Sequence, residues 1–235
     1  MGADLCTIEE AEDFLDKVPE KQPFMATSCC PAWSVMAKLF PDFKPYISMA
    51  LTPMVLTGRL IKKKNRMPRS YSSVLALPKT GSQPQSIRSD IDFVLTFEEV
   101  MGMFEAKGVD LEQLTISEPL TEGTGSGRGF AVSGGVAQAV KDQILKDHPD
   151  MEVKIQAAEG LKNCKTMLMM AKAGRLNGYL LEGMACPGGC VAGAGTLQPV
   201  MKSSAAVKKY VNEADKKISS ESAYGEHLDL LTEHN

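Results

Sequence analysis

The sequence has no apolar run approaching the roughly 18 residues that cross a bilayer, and Met1-Gly2-Ala3-Asp4 opens it without the charged and apolar stretches of a secretion signal. These absences set the expectation of a cytoplasmic protein with no membrane partner. No basic stripe is present either. With a net charge of -3 and a pI of about 5.7, nucleic acid is not an expected partner. The one basic run, Lys62-Lys63-Lys64, reads as the solvated end of a helix. Cysteine is missing from the whole stretch between Cys30 and Cys164. What the chain does have is 43% apolar residues among 235, enough for a real core in one large domain or two small lobes.

Six cysteines are present: Cys6, Cys29, Cys30, Cys164, Cys186 and Cys190. Without a secretion signal, and in a chain this long, metal or redox chemistry accounts for the clustered four better than disulfides do. Cys6 and Cys164 stand alone. Cys164 falls among the apolar positions of a helix, where a free thiol behaves as a small hydrophobe. The clustered thiols lie in Thr27-Ser28-Cys29-Cys30-Pro31-Ala32-Trp33 and in Gly183-Met184-Ala185-Cys186-Pro187-Gly188-Gly189-Cys190. Thiolates select iron-sulfur clusters, zinc or copper(I). Cys-x3-Cys is weak on its own and also fits a tight structural turn. Gly188, Gly189, Gly193 and Gly195 strengthen it, because glycine lets backbone amides approach cluster sulfurs closely. Zinc is disfavoured by Cys29-Cys30, since adjacent cysteines rarely ligate one tetrahedral ion together.

The apolar periodicity places both thiol loops after strands. Phe24 to Ala26 reads as a short buried strand, and Gly178 to Glu182 as another. Thr7 and Glu10 form a capping-box pattern for a helix over Ile8 to Val18. Further helices are expected from Pro31, from Pro53, over Glu98 to Ala106 behind Thr96 as N-cap, from Gly135 to Lys146, and from Leu161 to Ala173. A last helix is expected over Ala205 to Lys217, with Ser204 as its cap. Ile91 to Leu95 and Met151 to Ala157 read as strands, and Thr121 to Gly135 as a loop. Strands alternating with helices predict an α/β fold with mostly parallel strands, whose sites gather at strand carboxyl ends.

The two thiol motifs, the second extended back to Glu182, resemble the first and third cluster motifs of the catalytic domain of the diiron (FeFe) hydrogenases. Similarity also runs through Ala157-Ala158-Glu159-Gly160-Leu161-Lys162-Asn163 and Asp90-Ile91-Asp92-Phe93-Val94-Leu95-Thr96. The resemblance implies a hydrogenase catalytic-domain fold over residues 1–235, incomplete at the N-terminus. It implies an oxidoreductase of anaerobic metabolism that reduces protons reversibly, with ferredoxin or another electron carrier as partner. The implied cofactor is the H-cluster, a 4Fe-4S cluster bridged to a diiron subcluster that dedicated maturation proteins supply. Carried over by residue, Cys30, Cys186 and Cys190 are metal ligands, with Cys190 also bridging to the diiron unit. Cys29 is the proton relay, and Met184, Thr27 and Ser28 contact the cofactor. The paired Cys29-Cys30 resembles hydrogenases rather than the related cluster-assembly proteins, which generally carry one cysteine there.

The family's second motif, Pro-Cys-x-x-Lys-x-x-Glu, has no counterpart. Counted back without gaps, its cysteine, lysine and glutamate fall at Leu75, Pro78 and Gly81. A synonymous encoding of Tyr71 to Lys79, shifted by two bases, reads Phe-Ile-Gly-Pro-Cys-Ala-Ala-Lys, the expected motif. Residues 66–85 are therefore read as an out-of-frame segment between compensating indels. The alternative is a non-catalytic iron-sulfur or sensory protein of the same fold.

Overall fold

The computed structural model describes residues 1–65, 71–73, 91, 93–115 and 123–228. A parallel sheet in the order β1 (Met25–Ala26), β5 (Tyr179–Met184), β4 (Lys154–Glu159) organises the larger part of them. Ile47 adds a parallel bridge to Ala26 at the β1 edge. The register sets Met25 beside Leu180 and Ala26 beside Leu181, so each pair shares one face of the sheet.

Each face is covered by helices. Met25 and Leu180 pack with Ala11 and Phe14 of α1 (Gly2–Lys17) and with Ala137, Val140 and Ile144 of α6 (Gly135–Asp147). Ala26 and Leu181 pack with Trp33 and Ala37 of α2 (Pro31–Lys38) and with Cys164, Met167, Leu168 and Ala171 of α7 (Leu161–Lys172). A third apolar group, including Leu5, Cys6, Met184, Val136 and Leu56 and Leu60 of α3 (Pro53–Asn65), joins these helices. The α/β fold with parallel strands stands as expected. Cys164 is fully buried on its helix, as its apolar spacing implied.

A second, two-stranded sheet pairs β2 (Tyr71–Ser73) in parallel with β3 (Phe93–Leu95), and β3 leads into α4 (Phe97–Ala106). Thr96 caps α4: its hydroxyl accepts the Glu99 N–H at 3.2 Å, and the Glu99 carboxylate returns to the Thr96 N–H at 2.7 Å. Apart from Tyr71–Ser73, the anomalous segment 66–85, with Leu75, Pro78 and Gly81, lies outside the described residues.

Three local expectations are corrected. α1 begins at Gly2, so Thr7 and Glu10 are interior and not a cap. The Thr7 hydroxyl donates to the Ala3 carbonyl at 2.9 Å, the back-bond a helical threonine makes when its side chain is buried. Within the Gly-rich stretch, α5 (Gly125–Gly129) forms because the Thr124 hydroxyl accepts the Gly127 N–H and caps it. The last helix, α8 (Val200–Asn212), starts behind Pro199, which leaves Ser204 inside it.

Candidate metal centre

Both thiol loops leave the carboxyl ends of adjacent parallel strands, Cys29-Cys30 after β1 and Cys186 to Cys190 after β5. The first loop is fixed from several sides. The Trp33 indole N–H donates to the Thr27 carbonyl at 2.9 Å, and the Thr27 N–H donates to Leu181 of β5. Ser28 is saturated: its N–H donates to Glu10 Oε1 at 3.1 Å, its hydroxyl donates to Ala50, and its carbonyl accepts the Ser34 hydroxyl. Thr27 is different. Its hydroxyl is buried and has no hydrogen-bond partner among the described residues.

The second loop needs glycine for two reasons. Gly188 and Gly189 have φ of 96° and 88°, a region that side chains avoid. A Cβ at Gly189 would lie 2.5 Å from the Ser133 nitrogen, so no other residue fits between this loop and the α5–α6 connection. Glu159, at the end of β4, takes the Gly188 N–H at 2.8 Å. Inside β5, the Cβ position of Gly183 is filled by the Trp33 ring, 2.2 Å away.

The thiols of Cys186, Cys190, Cys164 and Cys29 are all raised, with neighbouring thiols as a lesser cause in each case. Burial is the larger cause for all four, and it pushes Cys190 up to about 11. Cys29 is raised well above its usual value by burial and then by Glu10 and Glu182. Met184, almost fully buried at the end of β5, belongs to the apolar group against which Cys29 packs. Among the described residues no three His, Cys, Asp or Glu side chains are grouped so as to hold one metal ion.

Two buried carboxylates flank the thiols, and neither stood out as part of the site in the sequence. Glu182 is buried in β5 and accepts the Gly134 and Ala137 N–H groups, each at 2.7 Å, where α6 begins. Burial raises its pKa while these backbone bonds oppose the shift. A charged residue inside an apolar strand pattern was the available signal, since such a group requires partners. Glu10 is fully buried, pushed up to about 8 chiefly by burial, and its Oε2 has no hydrogen-bond partner among the described residues. Its neighbour Glu9 rises to about 7 and accepts the Leu51 N–H at 3.0 Å.

Residues 1–194 match the family model described as iron only hydrogenase large subunit, C-terminal domain. The periplasmic Fe hydrogenase large subunit of Nitratidesulfovibrio vulgaris is 29% identical over 85% of this chain and 58% of its own length. A cytosolic Fe-S cluster assembly factor of Danio rerio is 26% identical over 82% of the chain and 60% of its own. The chain thus spans little more than half of these two relatives. An apo FeFe-hydrogenase variant of Chlamydomonas reinhardtii superposes with a TM-score of 0.75 at 20% identity, covering 97% of this chain and 77% of that one. This likeness is one of fold. No described helix is long and apolar enough to cross a membrane.

Proposed function

Because the chain belongs to the family of iron-only hydrogenase large subunits, C-terminal domain, we propose that it is an iron-sulfur domain whose Cys30, Cys186 and Cys190 hold a four-iron cluster. The observation that carries this reading is the pairing of β1 with β5, which delivers both thiol loops from one end of one sheet. The donor set fits. Partly buried thiols that burial raises, as it raises Cys186 and Cys190, are poorly tolerated as bare thiolates and become favourable ligands once a cation neutralises them. The Thr27 hydroxyl, without a partner among the described residues, and Met184, buried in the apolar group against which Cys29 packs, would supply one polar and one soft apolar contact for the inorganic group.

When bound, the H-cluster of a hydrogenase supplies electrons and open iron coordination for the reversible reduction of protons by a carrier such as ferredoxin. The chain's own contribution is to hold and move the proton. Burial keeps the Cys29 Sγ protonated at neutral pH, so it is a donor. Glu10, near 8, carries a proton over the same range and sits one hydrogen bond from the Ser28 backbone that precedes Cys29.

A second reading, an iron-sulfur protein without turnover, is favoured by Leu75, Pro78 and Gly81 at the second-motif positions. None offers a thiolate, a charged donor or a proton carrier. Anaerobic loading with ferrous iron and sulfide tests the common part: about four irons per chain and a reduced-state EPR signal are expected. Hydrogen evolution after supply of the diiron subcluster separates the two readings, with Cys190→Ser as the blank. The chain as written is expected to match that blank, which favours the second reading for this sequence. Retention of no iron by the wild-type chain overturns both.

A further inference from the structure

Among the described residues β4 pairs with β5 along one side, and its other edge is open. The Gly160 N–H donates to the Met184 carbonyl at 2.8 Å, which continues the ladder past Glu159 and fixes its phase. Alternate residues of a parallel strand turn both backbone groups to the same neighbour. Lys154, Gln156 and Ala158 therefore face β5, while Ile155, Ala157 and Glu159 turn their N–H and C=O groups outward. Two of the outward carbonyls are held by side-chain amides, Ala157 by Gln156 at 3.2 Å and Glu159 by Asn163 at 2.9 Å. The outward N–H groups have no acceptor among the described residues. Gln156 and Ala157 are exposed even though helices cover both faces of the sheet. The strand has no proline, its register runs without a bulge, and its single lysine is its first residue. The usual devices that blunt an open edge are thus missing from its middle.

We propose that this edge pairs antiparallel with the β4 edge of a second copy of the chain, about a two-fold axis at Ala157. The two sheets then run on as one, and the interface is independent of any bound cluster. That register sets Ala157 opposite Ala157 of the second copy and Ile155 opposite its Glu159, so each outward N–H meets an outward carbonyl. A shift of two residues either way leaves an outward residue of the strand unmatched. The middle of the edge carries only Ala157 and Ala158, with Gly160 just beyond, so no large side chain keeps the backbones apart. Charge also matches. Lys141 of α6 lines a cavity of about 460 Å³ together with Leu145, Met151 and Ile155, and it has no ion pair among the described residues. Glu159 spends Oε2 on the Gly188 N–H, which leaves Oε1 available. The pairing brings Glu159 of the second copy beside Ile155, on the sheet face that α6 covers and toward Lys141. On the other face Asn163 turns to this edge, and Met170, two turns further on the same side of α7, is left 39% exposed beside it.

The test is analytical ultracentrifugation of the full chain over a roughly hundredfold range of concentration, under reductant so that thiols cannot cross-link the copies. The wild-type chain is expected to pass from monomer to dimer, and exchange of the Ala157 amide to slow as it does so. Ala157→Pro removes an outward N–H and leaves the bonds to β5 in place, because Ala157 makes none of them. It is expected to keep the wild-type circular dichroism and to dimerise roughly thirtyfold more weakly, since the axis crosses two reciprocal bonds at this residue. Lys141→Glu sets like charges across the interface and is expected to weaken the dimer roughly threefold. Lys208→Glu, the same charge change on α8, is expected to have no effect. A wild-type chain that stays monomeric throughout overturns the proposal, and so does a dimer that folded Ala157→Pro leaves unchanged. If Ala157→Pro does not fold, the wild-type amide decides: exchange at Ala157 that ignores concentration overturns the proposal.

Discussion

The Glu159 carboxylate accepts the Gly188 N–H at 2.8 Å, so the end of β4 holds the turn between Cys186 and Cys190. Replacing it removes a charge-assisted bond worth about 1–2 kcal/mol. Glu159→Ala is expected to lower the unfolding free energy from urea titration by that amount and to speed amide exchange at Gly188. Glu159→Gln, which keeps an acceptor oxygen, is expected to fall between. Unchanged Gly188 exchange in the alanine variant would show that the glycine geometry alone sets the turn.

The Trp33 ring occupies the space a side chain at Gly183 would need. Gly183→Ala therefore forces the indole out or the strands apart, and overpacking of this kind costs about 1–3 kcal/mol. A lower melting temperature and a red shift of the lone tryptophan's fluorescence are expected, since the Trp33 to Thr27 bond would be broken. A variant with wild-type stability and emission would mean that the backbone here yields freely.

Burial raises Glu10 to about 8 and Glu9 to about 7, against an ordinary value of 4.5. Between about 4.5 and 8 the folded chain keeps protons that the unfolded chain has released, so stability falls as pH rises through that window. The unloaded chain is expected to melt at lower temperature at pH 8 than at pH 5. Glu10→Gln keeps an oxygen for the Ser28 N–H while removing the buried charge, and it should flatten that slope and exceed wild type at pH 8. Parallel melting curves for the two proteins across this range would refute the assignment.

Much of this architecture was legible because its signals are local. Short apolar runs ending in Gly and Cys mark β1 and β5, and Pro31 and Pro53 sit where α2 and α3 begin. The start of α1 was not legible. Thr7 followed by Glu10 satisfies a capping pattern, and only the packed structure turns Glu10 inward to Ser28 and Thr7 back to Ala3. The place of β5 between β1 and β4 was hidden for a related reason, since strand order is a property that no residue spacing states.

Independent reads of the gene across Tyr71 to Lys79 test the altered second motif. A two-base shift is expected to yield Phe-Ile-Gly-Pro-Cys-Ala-Ala-Lys. Codons that cannot give that peptide in any frame would establish Leu75 as a true residue of this protein.

Among the described residues β5 is the last strand in chain order, and it is the middle strand of its sheet. During synthesis β1 and β4 must therefore wait, each with the edge that β5 will pair still open, and such long-range closure is slow. Until Met184 clears the ribosome, Cys29 and Cys30 have no second loop to meet. The cluster proposed above can therefore assemble only after the second loop has emerged, and a nascent chain stalled before Tyr179 would present Cys29 and Cys30 without it.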